Sequence, residues 1–144
     1  KGVEHRIEFV RSKSLISFYN DSKGTNPDST VVAIKTLGSS HGIVLILGGR
    51  DKMTDLSVLC GHIKRSVKEV VLIGEAKTRL KKTLVRCGYN NIHEARDMKH
   101  AVKEAFKLAS QGDAVLLSPA CASFDMFKNY EERGKVFKQI VAKL

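Results

Sequence analysis

At 144 residues the chain is sized for one domain and can bury roughly two thirds of the surface its unfolded form exposes, enough for a core of its own. Hydrophobic residues at 42% and charged residues at 28% exclude a disordered, collagenous or disulfide-stapled chain. The net charge of +10 raises nucleic acid as a partner, because clustered lysine and arginine gain affinity by displacing counterions from phosphates. The cations are instead spread along the chain, as in KTRLKKTLVR, with no interleaved aromatics and no RNA-binding signature. A solvated surface is therefore expected and no nucleic acid, although a small polyanion such as a nucleotide is compatible with the charge.

The segment KGVEH at the front reads as a hinge remnant. RIEFV (6–10) and LISFY (15–19) are the first strand candidates. The polar loop NDSKGTN follows, and a helix is expected over 28–37: Asn26 can cap it, Pro27 suits the first turn, and Asp28 complements the positive helix end. IVLIL (43–47) is the next strand, then the loop GGRDKMTD, with Asp55 as a capping candidate for a helix over 54–66. Strand EVVLIG (69–74), a helix over 75–87, strand NIHEA (91–95) and a helix over 97–110 continue the rhythm. AVLLS (114–118), the loop SPACAS and a last helix over 124–143 complete it. Strands alternating with helices predict an α/β fold with a mainly parallel sheet of about six strands and helices on both faces.

In such sheets ligands bind beyond the carboxyl ends of the strands. The loops NDSKGTN, GGRDKMTD and SPACAS all leave strand ends, so their acids, lysines and hydroxyls are expected on one rim. Singly, each is explained by turn formation or capping: Asn20 and Asp21 suit turns, Gly48 and Gly49 a tight reversal, and Ser118, Pro119 and Ser123 the start of the last helix. Their coincidence points to function.

Other chemistries lack their motifs. No GxGxxG, GxxxxGK[ST] or HExxH is present, and no GxSxG nucleophile elbow, because the string of that form, GSSHG at 38–42, stands between a helix and a strand instead of between a strand and a helix. His5, His41, His62, His93 and His100 are scattered, which favours packing and surface roles over a metal. Cys60, Cys87 and Cys121 lack paired spacing and read as buried thiols of a reducing, cytoplasmic compartment, Cys121 having no base placed beside it. The longest apolar stretch, GIVLILGG, is far short of a bilayer span, so no membrane is expected.

NDSKGTN, LGGRDKMTD and above all LLSPACASFDMFKNYEERGKVF resemble the C-terminal domain of the Mur ligases, in the branch that adds D-glutamate to UDP-N-acetylmuramoyl-L-alanine. The resemblance covers essentially the whole chain, residues 1–144. The first loop here has Lys23 and Thr25 around Gly24, where related ligases carry HNP- or HTP-like residues, and the DNPR motif of the diaminopimelate branch is absent. Within the common pattern GGxDKGxD, Met53 and Thr54 replace the residues after Lys52, and Phe124 stands where leucine is frequent.

The resemblance implies a Rossmann-like domain of an ATP-dependent ligase of cytoplasmic peptidoglycan precursor synthesis, working as a monomer through an acyl phosphate. ATP and Mg would be held mainly by a central domain. That domain and a UDP-binding one are expected upstream, outside this chain, which alone would be inactive and carry no catalytic residue. Thr25, Lys52, Ser123, Phe124 and Tyr130 match positions that hold D-glutamate; Arg6, Asp21 and Lys23 match positions on the nucleotide side. A ligase domain for another amino acid, folylpolyglutamate synthases included, and a free-standing basic nucleotide- or nucleic-acid-binding module are the alternatives.

Overall fold

The computed structural model describes residues 3–144. Lys1 and Gly2 of the expected hinge segment lie outside them. Six strands and five helices follow in the order β1 (Glu8–Lys13), β2 (Ile16–Asn20), α1 (Pro27–Gly38), β3 (Ile43–Gly48), α2 (Ser57–Ser66), β4 (Val67–Ile73), α3 (Lys77–Arg86), β5 (Ile92–Glu94), α4 (Met98–Leu108), β6 (Ala114–Leu117) and α5 (Tyr130–Ala142). The sheet order is β1-β2-β6-β3-β4-β5. All neighbours are parallel except β1 and β2. This is the expected mainly parallel α/β sheet with one antiparallel edge strand.

The central strands are apolar throughout because both faces are covered. Along β3, Ile43, Leu45 and Leu47 enter one core with Ile34 and Leu37 of α1, Leu59 and Ile63 of α2, and Leu80 and Leu84 of α3. Val44 and Ile46 point the other way, toward Ala101 and Val102 of α4 and Phe137 and Val141 of α5. The period of two in β6 does the same: Ala114 and Leu116 on one side, Val115 and Leu117 on the other. Each fully buried Leu, Ile or Phe contributes about 1.5–3 kcal/mol from area removed from water, so the three-layer packing is what holds the rim loops in place.

Three elements differ most from the sequence expectation, the others shifting by at most two residues at an end. Strand β1 starts at Glu8 and runs on to Lys13, where a two-residue turn with positive φ at Ser14 (54°) and Leu15 (62°) returns the chain into β2. That is the geometry of a tight hairpin turn usually made by Asn-Gly, here without either residue. Helix α2 begins at Ser57, because Thr54 and Asp55 belong to the loop; Asp55 Oδ1 accepts the Ser57 amide at 3.0 Å and caps from outside. Helix α5 begins at Tyr130, six residues later than expected. Ser123 carbonyl accepts the Met126 and Phe127 amides in a turn of its own, and Asn129 is the residue that caps, accepting from the Glu132 amide. Ser118 and Ser123 do not cap the helix. At α1 the expected Asn26 cap is present, its side chain accepting the Ser29 amide at 2.9 Å.

Candidate functional site

Strands β2, β6, β3 and β4 are neighbours and run parallel, so the loops after them rise from the same edge of the sheet. They are also bonded to one another. The Asp21 amide donates to Leu117 carbonyl (2.7 Å) and the Ala120 amide to Gly24 carbonyl (2.8 Å), joining the first loop to the last. The Gly48 amide donates to Pro119 carbonyl (3.0 Å) and the Arg50 amide to Ala122 carbonyl (2.8 Å), joining the second to the last. Gly48 has φ 130°, and a side chain there would collide with the Ile73 carbonyl of the adjacent strand. Three polar loops thus form one hydrogen-bonded surface.

Arg6, Asp21, Lys23 and Gly24 line a cleft of about 130 Å³ together with Ile7, Ser29 and Val32. The segment before β1 is clamped there: Asp21 Oδ1 accepts the Ile7 amide at 3.0 Å, and the Lys23 amide donates to His5 carbonyl at 2.9 Å. The other oxygen of Asp21 lies 2.6 Å from the Ser118 hydroxyl, which also neighbours Thr30 Oγ1 at 3.0 Å. Asp21 is only 3% exposed. Burial pushes its carboxyl above the ordinary range, against the hydrogen bonds from Ser118 and Ile7 and the nearby Arg6 and Arg133 charges. Its carboxylate is thus largely committed within the chain.

Thr25 follows on the same loop, half-buried, its amide bonded to Lys23 carbonyl at 2.8 Å. Lys23 Nζ sits 5.9 Å from the centre of the Tyr130 ring, within cation–π range. Ser123 is buried, while Phe124 beside it is 62% exposed. Lys52 is exposed and makes no hydrogen bond or ion pair among the described residues. Burial above all pushes the nearby Cys121 thiol of the SPACAS loop up to about 11. That value keeps Cys121 protonated, a packing thiol as expected. Cys60 is likewise buried and its thiol pushed up to about 12, first by burial and then by Cys87, which is only half-buried rather than fully so. A larger hollow of about 840 Å³ between α2 and α3 borders the rim only through residues such as Asp51 and Met53.

Several residues of the site were not foreseen. Arg133 of α5 donates to Ser22 carbonyl (2.6 Å), Ser22 Oγ (2.9 Å) and Cys121 carbonyl (2.9 Å), locking the first and last loops from beneath. The sequence held a signal: Arg133, Phe137 and Val141 share one helical stripe, and the last two are core. Asp125 Oδ2 accepts the Glu75 amide at 2.8 Å, tying the last loop to the one after β4; its Oδ1 is buried and has no hydrogen-bond partner among the described residues. His5, buried among Asn20 and Tyr130, accepts an amide hydrogen of Asn20 on Nδ1 at 2.9 Å, which leaves the proton on Nε2. The Asn20 amide is oriented by Oδ1 accepting the Ser22 N–H.

Glu4, His5 and Glu8 group three metal-ligating atoms. They do not suit a metal such as Mg, because Lys138 Nζ already bridges Glu4 (2.8 Å) and Glu8 (3.1 Å) and the His5 tautomer is fixed by Asn20. No helix among the described residues is long and apolar enough to cross a membrane.

Residues 5–121 match the family model described as "Mur ligase, glutamate ligase domain". The chain belongs to this family. Over its full length it is 49% identical to UDP-N-acetylmuramoylalanine–D-glutamate ligase of Caldicellulosiruptor saccharolyticus and 47% identical to that of Clostridioides difficile. It spans 31% and 32% of the lengths of those relatives. Among solved structures, a bifunctional folylpolyglutamate synthase/dihydrofolate synthase from Yersinia pestis superposes with a TM-score of 0.67 at 17% identity, covering 99% of this chain and 31% of that one. At that identity the likeness is one of fold, and it supports the Rossmann-like α/β architecture expected for a Mur ligase C-terminal domain.

Proposed function

We propose that this Mur ligase domain binds the incoming D-glutamate for an ATP-dependent ligase that joins it to UDP-N-acetylmuramoyl-L-alanine in peptidoglycan precursor synthesis. The observation that carries the reading is the identity, over the whole of this chain, to part of relatives of that name, together with a rim that offers an exposed lysine, a half-buried threonine and a buried serine to a dicarboxylate. Charge-assisted hydrogen bonds are the strong ones, and Lys52, Thr25 and Ser123 offer an ammonium and two hydroxyls, with the Phe124 amide and Tyr130 beside them. Arg6, Asp21 and Lys23, around the small cleft, are assigned to the nucleotide side.

In this reading ATP and its metal are held mainly by the remaining part of a longer polypeptide, which would also carry the UDP-substrate domain. The carboxylate of UDP-N-acetylmuramoyl-L-alanine takes the terminal phosphoryl group; the amine of D-glutamate then attacks the acyl carbon, the C–O bond to phosphate breaks, and the amine gives up a proton. The chain's contribution is to fix the amine by its carboxylates and to exclude water when the domains close. Lys52→Ala in the complete ligase tests it. The KM for D-glutamate should rise and kcat/KM fall by about 2–4 kcal/mol, since a carboxylate loses its charged partner. An unchanged dependence on D-glutamate removes Lys52 from the site.

A further inference from the structure

We propose that Arg79 is a positioning residue that sets the place of Lys52 by clasping the loop on both sides of it. The inference rests on the reading that Lys52 holds a carboxylate of the amino acid. Lys52 lies in an irregular stretch between β3 and α2, and among the described residues its side chain makes no hydrogen bond or ion pair to fix it. A four-carbon side chain on a free loop would spread its ammonium over many positions, and ordering it on binding would cost entropy.

Arg79, near the start of α3, removes that freedom from the backbone. Its Nη1 donates to Asp51 Oδ1 at 3.2 Å and its Nη2 to Thr54 carbonyl at 2.5 Å. One planar group therefore holds the residue before Lys52 and the one two positions after it. Asp51 Oδ1 also accepts the Met53 amide at 2.9 Å, which keeps Met53 in the left-handed region at φ 55°. The clasp is anchored in turn: the Asp51 amide donates to Glu75 Oε1 (3.1 Å), and the Glu75 amide to Asp125 Oδ2 (2.8 Å). Asp125 lies two residues after Ser123, so the chain of contacts ties Lys52 to the loop offering the other carboxylate donors. The Arg79–Asp51 pair is part-exposed, and such an ion pair adds little stability by itself. Its forked geometry is what a single ammonium cannot reproduce.

The test uses the complete ligase with Arg79→Ala, Arg79→Lys, Lys52→Ala and the Arg79→Ala/Lys52→Ala double variant. Arg79→Ala should raise the KM for D-glutamate about tenfold and leave the KM for ATP within about twofold, with Arg79→Lys recovering only part of the loss. The double variant should be no worse than Lys52→Ala, because the two residues act through one contact. Amide exchange across residues 51–56 should quicken about tenfold in Arg79→Ala, a readout independent of substrate. Unchanged exchange overturns the clasp. Faster exchange with a normal D-glutamate KM, when Lys52→Ala raises it, overturns the positioning role while the site reading stands. A silent Lys52→Ala overturns the site reading and this inference with it.

Discussion

The guanidinium of Arg133 holds Ser22, 111 residues away in sequence, by both its backbone carbonyl and its hydroxyl, at 2.6 and 2.9 Å. Its third bond, to Cys121 carbonyl, makes one buried cation the fastener of two rim loops. Burial pulls its pKa down to about 10, which still leaves it charged at neutral pH. Arg133→Met should lower stability by about 3 kcal/mol, because two buried carbonyls lose their donors at ~1–3 kcal/mol each and only the apolar stem is replaced. Arg133→Lys should fail to restore it, having no fork. Urea unfolding of the chain measures both; a midpoint for Arg133→Met equal to wild type would mean that the loops are held without it.

The next residue, Gly134, marks a close approach. A side chain there would run into the His5 ring and come within 3.0 Å of Asn20 Nδ2. Helix propensity alone says that Gly134→Ala stabilises by about 0.5–1 kcal/mol. The contact says the reverse, a loss of about 1–3 kcal/mol as the segment before β1 is pushed off α5. Thermal unfolding decides by sign: a higher melting temperature for Gly134→Ala would show that His5 is free to move aside.

Most of the fold was legible because the central strands cannot hide. β3 and β6 are buried on both faces, so IVLIL and AVLL stand out as unbroken apolar runs, and the polar loops after them follow from strand direction. The family motifs made the rim residues legible as a set. What escaped were contacts that no local pattern encodes. Arg133 looks like one more lysine-rich-surface cation until its stripe with Phe137 and Val141 is drawn. The late start of α5 follows from Asp125 reaching across to the Glu75 amide, while the Asn129–Glu132 spacing that marks the true cap was present in KNYEERG but outweighed by the apolar residues before it. The β1–β2 hairpin turns on Ser14 and Leu15, which lack the Asn-Gly or Asp-Gly pair that marks such a turn in a sequence.

Met53 stands at φ 55° where the family pattern commonly has glycine, and the structure supplies a reason for that pattern. A left-handed residue other than glycine costs roughly 1–2 kcal/mol, partly returned by the larger entropy glycine loses on folding. Met53 is 72% exposed, so its replacement forfeits little packing. Met53→Gly should be neutral or stabilising by up to about 1 kcal/mol, and Met53→Val should destabilise by about 1 kcal/mol, since a β-branched residue tolerates the conformation worst. Equal melting temperatures for the Gly and Val variants would count against strain at this position.

Asp21 joins stability to the proposed nucleotide role. Its carboxyl pKa is raised, by burial first, so the folded chain holds this proton more tightly than the unfolded chain does. Its favourable contribution is therefore complete below the ordinary carboxylate pKa, roughly pH 4, and is lost as the pH climbs through the raised folded value. Asn cannot ionise, yet its carbonyl oxygen can still accept the Ile7 amide. The stability difference between Asp21→Asn and wild type should accordingly move in the variant's favour from pH 4 upward, read from urea midpoints across the range; a constant difference would contradict the raised pKa. In the complete ligase the same variant separates fold from function. If the Asp21 charge, beside Arg6 and Lys23, serves the nucleotide side, a non-hydrolysable ATP analogue should tighten D-glutamate binding in wild type and do so less in Asp21→Asn, since coupling between two ligands requires a group that both states feel differently. Titrating D-glutamate with and without the analogue gives the two ratios. The same ratio in both proteins would take Asp21 off the nucleotide side and leave it as the clamp for the Ile7 amide alone.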